Sequence, residues 1–264
     1  MGRIFVTGDI HGYTPAFKLR LYYSQYDFQK DDALICTGDV GLEYGNQIQG
    51  ALKKIMKKFP GTIYIMRGNH DNRYWANHII HDENNNYYLE TPKDGWRFNT
   101  EESPTPNLIY QKKYDNIKYI RDEGDILNIQ NQNILFIPGA FSVDKQYRIK
   151  NGLPYEPREQ LTYTECLNLL NKLDDFLQYN QIDYIISHTC PLDLQTYFQD
   201  LFLPFIDQSM VDNSMEKFLN QIYDLIGDRF NHWYFGHYHD NRDINDKITM
   251  LYDKIIELGD SVER

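Results

Sequence analysis

Asp9 and His11 stand two residues apart, as do His237 and His239, and Asn69 and His70 are neighbours. With Asp39 and His188 they fall in five short segments: Gly8-Asp9-Ile10-His11-Gly12, Gly38-Asp39-Val40-Gly41, Gly68-Asn69-His70-Asp71, Ser187-His188 and Gly236-His237-Tyr238-His239. Those eight residues are two aspartates, one asparagine and five of the chain's 8 histidines. Hard divalent ions favour carboxylate and amide oxygens, whereas borderline ions accept imidazole nitrogen. A mixed Asp/Asn/His set therefore suits Mn²⁺, Fe²⁺, Zn²⁺ or Co²⁺ better than Mg²⁺ or Ca²⁺ alone. Residues two apart in an extended segment face the same way, so Asp9 with His11, and His237 with His239, can each grip one ion. Together the residues form a ligand inventory for two adjacent divalent metals. Taken singly, Asp9 and Asp39 would read as turn or cap residues, and His11 or His188 as a satisfied histidine at a strand end. The ordered combination decides for metal. His78, His81 and His232 fall outside the five segments and read as surface or core residues.

Such a set needs strands to present it. Arg3 to Thr7 and Ala33 to Thr37 are apolar runs bounded by Gly-Asp, as buried strands are. Residues 46–59 carry apolar side chains at helical spacing, and Pro60-Gly61 ends that helix. Thr62 to Met66 is the next strand, and strand–helix alternation marks an α/β sheet. From about 72 to 116 the chain is rich in Asn, Asp, Glu, Tyr and Pro, too long for an ordinary connection. This stretch reads as a cap or insertion within a single domain of residues 1–264. Tyr74, Trp75, Tyr87, Tyr88, Trp96 and Phe98 favour a partly packed cap over a solvated excursion. Ile126–Ile129 and Ile134–Ile137, joined by a polar turn, predict an antiparallel hairpin and hence a mixed sheet. Helices are expected over 157–179 and 213–226, and strands over 182–187 and 232–235. Ile248–Tyr252 and Ile255–Leu258 are expected to close the second sheet.

The formal charge of -11 argues against an extended nucleic-acid footprint, because that binding relies on Lys and Arg neutralising phosphates. It leaves a small phosphorylated substrate open, since bound metals reverse the local charge. Cys36, Cys166 and Cys190 lack metal-type spacing and read as thiols in a reducing compartment. Cys190, two residues from His188, has a thiolate role as its second reading. No stretch approaches the roughly 20 apolar residues of a membrane span, so a cytoplasmic location without membrane association is expected. Nothing in the sequence specifies the oligomeric state.

The order of the five segments resembles that of the calcineurin-like metallophosphoesterases, read as GDxH, GD, GNH, H and GHxH, from residue 8 to residue 240. The resemblance implies a four-layer α/β/β/α sandwich of two mixed β-sheets flanked by helices, with the metal site at strand C-terminal ends. It also implies a phosphoesterase in which a metal-bound hydroxide attacks a phosphomonoester or phosphodiester. Asp9, His11 and His239 would hold one ion, Asn69, His188 and His237 the other, and Asp39 would bridge them. His70 would be the catalytic acid or charge stabiliser. Mn²⁺ is the expected pair of ions, with Fe, Zn or Co as alternatives.

One family branch, the Ser/Thr protein phosphatases, continues the second segment as GDxxDRG, whereas Leu42 and Glu43 stand here in the Asp-Arg positions. Phosphate-binding cations are then sought in Arg67, Arg73 and Arg148. The last closes the stretch Pro138-Gly139-Ala140-Phe141-Ser142-Val143-Asp144-Lys145-Gln146-Tyr147-Arg148, which is similar to a GGAxSVDxxxR stretch of bacterial and phage-type members. A salt bridge from Arg148 to Asp144 is the plainer reading of that arginine. The expected substrate is a nucleotide or other small phosphorylated compound. A protein phosphatase and a non-catalytic binding module of the same fold are the alternatives.

Overall fold

Alternation along each strand sorts the core into three layers. In β1 (Ile4–Thr7) and β2 (Ala33–Cys36), Ile4, Val6, Ala33 and Ile35 pack in one cluster while Phe5, Leu34 and Cys36 pack in another. This two-residue period follows from the pleat, which sends successive side chains to opposite faces. The same split occurs in β10 (Gln132–Ile137), where Ile134 and Phe136 join the cluster of Ile4 and Val6 while Leu135 and Ile137 do not. The shared cluster is the seam between two sheets. The computed structural model describes residues 2–11, 23, 26–42, 47–75, 79–81, 87–89, 96–98, 108–202, 206 and 208–262.

The first sheet has seven strands. At its centre β1, β2, β3 (Thr62–Ile65) and β8 (Tyr114–Ile120) run parallel. Beyond β8, β7 (Leu108–Gln111) and then β6 (Trp96–Phe98) pair antiparallel. The second sheet has six strands. Here β10, β11 (Tyr184–Ser187), β12 (His232–Phe235) and β14 (Ile248–Met250) are parallel, with β9 (Asp125–Ile129) and β13 (Arg242–Asn245) antiparallel at the edges. A hairpin of β4 (Ile79–His81) and β5 (Tyr87–Leu89) stands apart from both. Helix α1 (Gln47–Met56) covers the first sheet through Leu52 and Met56. The second sheet is covered by α3 (Tyr163–Leu177) and α4 (Ser214–Ile226) through Leu169, Leu173, Phe218, Leu219 and Ile222. A shorter helix, α2 (Lys145–Lys150), follows β10. The architecture is the α/β/β/α sandwich anticipated from the sequence.

Several boundaries differ from expectation. Helix α3 begins at Tyr163 rather than at residue 157, because Thr162 and Glu165 form a reciprocal capping box that starts the helix there. The final strand, β15 (Ile255–Glu257), does not close the second sheet: it crosses back and pairs antiparallel with β1. The stretch 72–116 contains β6 and β7, which extend the first sheet, so that part is sheet rather than cap. Most of its remainder lies outside the described residues, including the side chains of Tyr87, Tyr88, Trp96 and Phe98. Tyr74 and Trp75 are buried in the core beneath the first sheet. The β9–β10 hairpin turns at Gln130 and Asn131, both at positive φ, 53 and 62°, the geometry a two-residue hairpin loop demands. Among the described residues, no helix is long and apolar enough to cross a membrane.

Candidate metal centre

Strands β1, β2, β3, β11 and β12 end side by side, and the five polar segments leave from those ends. Four of the residues concerned are held in left-handed backbone conformations: His11, Asp39, His237 and His239, with φ of 43, 48, 71 and 57°. Each costs on the order of 1–3 kcal/mol and persists only where the surroundings over-determine it. Glycine is required at Gly38, where φ is 128° and a Cβ would collide with the His188 ring. At Gly236 a Cβ would strike the Asp9 carboxylate. Backbone and side chains at the site are therefore packed against each other.

Asp9, Asp39, Asn69 and His188 are fully buried. His11 Nε2 and His239 Nε2 approach to 2.7 Å, and His239 Nε2 lies 3.2 Å from Asp9 Oδ2. His188 Nε2 lies 3.6 Å from Asp39 Oδ2. Two groups could thus hold an ion: Asp9, His11 and His239, and Asp9, Asp39 and His188. Asn69 and His237 complete the second, because Asn69 Oδ1 lies 2.7 Å from His188 Nε2 and 3.0 Å from His237 Nδ1. The structure brings together all seven residues singled out as ligands.

The donor set fits a cation on its own chemistry. His188 Nδ1 lies 3.0 Å from the Thr37 carbonyl, which can only accept, so Nδ1 carries the proton and Nε2 offers its lone pair. Asn69 donates its amide to Ser142 Oγ at 2.7 Å, so Oδ1 is the atom facing His188 Nε2. Two acceptors at 2.7 Å need a positive charge between them or a proton on the ring. Burial disfavours that proton, but Asp39 outweighs it and pushes His188 up to about 9. Asp9 Oδ2 is buried with no donor in good bonding geometry, its neighbours being the His239 and His11 rings at 3.2 and 3.6 Å, a state that an ion would relieve. Burial opposes ionisation of Asp9 and Asp39, yet the neighbouring histidines hold both well below the usual carboxylate range. His237 is pulled down to about 3 by burial and by the nearby His188, so its ring is neutral.

The family profile described as Calcineurin-like phosphoesterase matches residues 2–241. The chain belongs to the calcineurin-like phosphoesterase family. A comparison with curated proteins gave no significant match. Membership implies a phosphoesterase hydrolase and accords with Asp/His groups able to bind metal ions.

Within this calcineurin-like site, His70 and Asp144 line the cavity beside the ligands. The His70 backbone N–H donates to Asp39 Oδ1 at 2.8 Å, and its ring Nε2 lies 4.0 Å from Asp144 Oδ1. Asp71 shapes the turn: it accepts N–H bonds from Val40, Gly41 and Gly68 at 3.2, 2.8 and 3.0 Å.

The three arginines sit differently from expectation. Arg67 is buried and donates to the carbonyls of Asp122 and Glu159 at 3.0 and 2.7 Å. Arg73 forks onto Glu165 and donates to the carbonyls of Arg158 and Gln160. Both tie the 156–165 segment to the body of the protein. Arg148 forms the plainer salt bridge, Nε to Asp144 Oδ2 at 2.7 Å, and also donates to Pro154 O. Cys190 is buried, and burial pushes its thiol well up, against a thiolate role. His232 is a core residue bonded to Thr249 at 2.8 Å. Sequence reasoning missed Thr37 as a support, and it named Ser142 and Asp144 only as members of the stretch ending at Arg148, without their contacts to Asn69 and His70. Leu42 is in the core, and Glu43 lies outside the described residues.

Proposed function

We propose that the chain is a dinuclear metal-dependent phosphoesterase acting on a small phosphorylated compound, a phosphomonoester or phosphodiester such as a nucleotide. The observation that carries this reading is the convergence of acceptor atoms from seven residues on buried Asp9 Oδ2 and on the Asn69–His188 contact. Asp9, His11 and His239 would hold one ion, Asn69, His188 and His237 the second, with Asp39 between them. Divalent ions bound there would supply Lewis acidity toward phosphoryl oxygens and activate water for in-line attack.

The chain's own residues supply the rest. His70 is held over the site by its backbone bond to Asp39. Burial pulls His70 below the usual imidazole range, so the ring is neutral at rest near pH 7. A phosphate anion beside it would raise that pKa, allowing His70 to pass a proton to the leaving oxygen. Asp144, clamped by Arg148, is the carboxylate nearest the His70 ring. Among the described residues lining the cavity, no Ser, Thr or Cys is available as a nucleophile. Leu42, in the core where a protein phosphatase would carry its orienting aspartate, weakens the protein-phosphatase alternative.

The test is a screen of Mn²⁺-loaded protein against phosphomonoesters, cyclic and dinucleotides, and phosphopeptides. Asp39→Asn should lose bound ions, measured by elemental analysis, whereas His70→Ala should retain them and turn over slowly. The reading fails if the wild type binds no ions and hydrolyses none of the panel. Turnover of phosphopeptides far above that of small esters would favour the protein phosphatase, and bound ions without any hydrolysis the non-catalytic module.

A further inference from the structure

A cavity of about 440 Å³ opens beside the candidate metal centre. Asp39, Asn69, His237 and His239 form one end of it, and His70 and Asp144 stand at the same end. The remaining wall is mostly apolar, with Phe141, Phe202, Ile206, Val211 and Tyr238 prominent in it and Gln195 and Asn213 as its neutral polar side chains. That size and lining are typical of small-molecule sites, in which a few placed polar groups fix orientation within an apolar wall.

One charged group breaks the apolar wall. Glu216, in the first turn of α4, lines the cavity and is only 3 % exposed. Its Oε1 accepts a hydrogen bond from Thr189 Oγ1 at 2.9 Å, while its Oε2 is buried with no partner. The bonds behind it run in one direction. Gln195 Nε2 donates to Tyr238 Oη at 2.9 Å, and Tyr238 Oη lies 3.0 Å from Thr189 Oγ1. Because Thr189 spends its hydroxyl proton on Glu216, Tyr238 must donate to Thr189. Every donor in the chain thus points toward the carboxylate. Such a relay fixes the carboxyl plane and leaves Oε2 as an acceptor without a donor. An apolar pocket does not keep a buried, half-satisfied carboxylate without cost.

We infer that this cavity takes a flat aromatic ring bearing an N–H donor, a nucleobase by chemical class, with Glu216 Oε2 as the acceptor that selects it. The inference rests on the phosphoesterase reading for one point only, that the phosphoryl group lies at the ligand end. Phe141 and Phe202 supply aromatic surface in the wall, and stacking on aromatic rings tolerates any base. Discrimination then falls to Glu216. A site built to bond a substrate N–H rejects the analogue lacking it far more strongly than an apolar pocket rejects a missing methylene. Burial lifts the Glu216 carboxyl to about 7, and an N–H donor at Oε2 would favour its charged form.

The experiment uses the full chain and nucleosides, which carry no phosphate, so its outcome is independent of hydrolysis. Calorimetric titrations with adenosine, guanosine and cytidine, each bearing an exocyclic amine, are compared with purine riboside, which lacks one. At least one amine-bearing nucleoside should bind about tenfold or more tightly than purine riboside. Glu216→Gln should abolish that difference, because Thr189 holds the amide oxygen and turns the Gln N–H₂ toward the ring's donor. Phe202→Ala should weaken all four nucleosides alike. Glu216→Asp, which keeps the charge but withdraws it by one methylene, should give an intermediate loss and serves if the Gln variant fails to fold. The proposal is overturned if no amine-bearing nucleoside exceeds purine riboside, if Glu216→Gln leaves the difference intact, or if ethanolamine binds better than every nucleoside. Hydrolysis of the matching 5′-monophosphate by Mn²⁺-loaded protein tests the phosphoesterase reading separately.

Discussion

Ser142 faces no candidate ion, yet it decides which atom of Asn69 does. Without its 2.7 Å bond the Asn69 amide could turn over and present nitrogen instead of oxygen. Supporting partners of this kind typically change metal affinity 10–100-fold when removed. Ser142→Ala should therefore weaken binding of one of two Mn²⁺ ions by about that factor in a calorimetric titration, leaving the other nearly unchanged. Asp144 and His70 form the complementary case. His70→Ala should lower kcat by about 10²–10⁴ on the best ester of the screen. Asp144→Asn should lose part of that factor at unchanged ion content. Loss of ions in Asp144→Asn would assign the residue to the metal centre instead. At this scale the candidate ligands were legible because their residue types are chemically restrictive. The supporting roles of Ser142 and Thr37 were not, since a hydroxyl or a carbonyl carries no signal until a fold sets a ligand beside it. Arg67 and Arg73 misled for a related reason: an arginine next to a motif in sequence can turn inward to satisfy buried carbonyls.

Helix α3 shows how local chemistry fixes an element and then fastens it to the body. Thr162 caps it and Glu165 completes the box, while the same carboxylate pairs with Arg73. Thr162→Ala should cost about 1 kcal/mol in denaturant-melt stability. Burial opposes ionisation of Glu165, but its bonds to Arg73 and Thr162 outweigh it and bring the carboxyl down to about 2 from 4.5. A depressed carboxyl contributes stability that is fully present above its unfolded pKa and is lost as protons bind in the folded state. The stability gap between wild type and Glu165→Gln should therefore be constant above about pH 5 and close as pH falls toward about 2. A gap that stays open at pH 2 would exclude this pair as its source. The central parallel strands were legible from their apolar runs, whereas β13 was not singled out and β15 was expected as a strand but on the other sheet. Both lie at sheet edges and are less buried than the central strands, so pairing rather than an apolar run decides them.

For the molecule as a whole, the seam between the sheets is what keeps the two halves of the metal centre in register. Asp9, Asp39 and Asn69 follow strands of one sheet, and His188 and His237 follow strands of the other. Phe136, fully buried in that seam, tests the dependence. Phe136→Ala should destabilise the protein by about 3–5 kcal/mol in urea, with ion affinity falling as well because the two sets of ligands lose their common backing. Ion affinity that survives a full stability loss would show that the ligand loops hold one another without the sheets.

The return of β15 to the edge of β1 has a consequence for how the protein comes into being. A ribosome delivers Asp9 and His11 well before their neighbours in space, His239 and β15. Until then β1 has an open edge and half a ligand set, both able to capture a wrong partner or a stray ion. Filling of a site made by Asp9, His11 and His239 would therefore have to wait for synthesis of the second sheet, since His239 follows one of its strands.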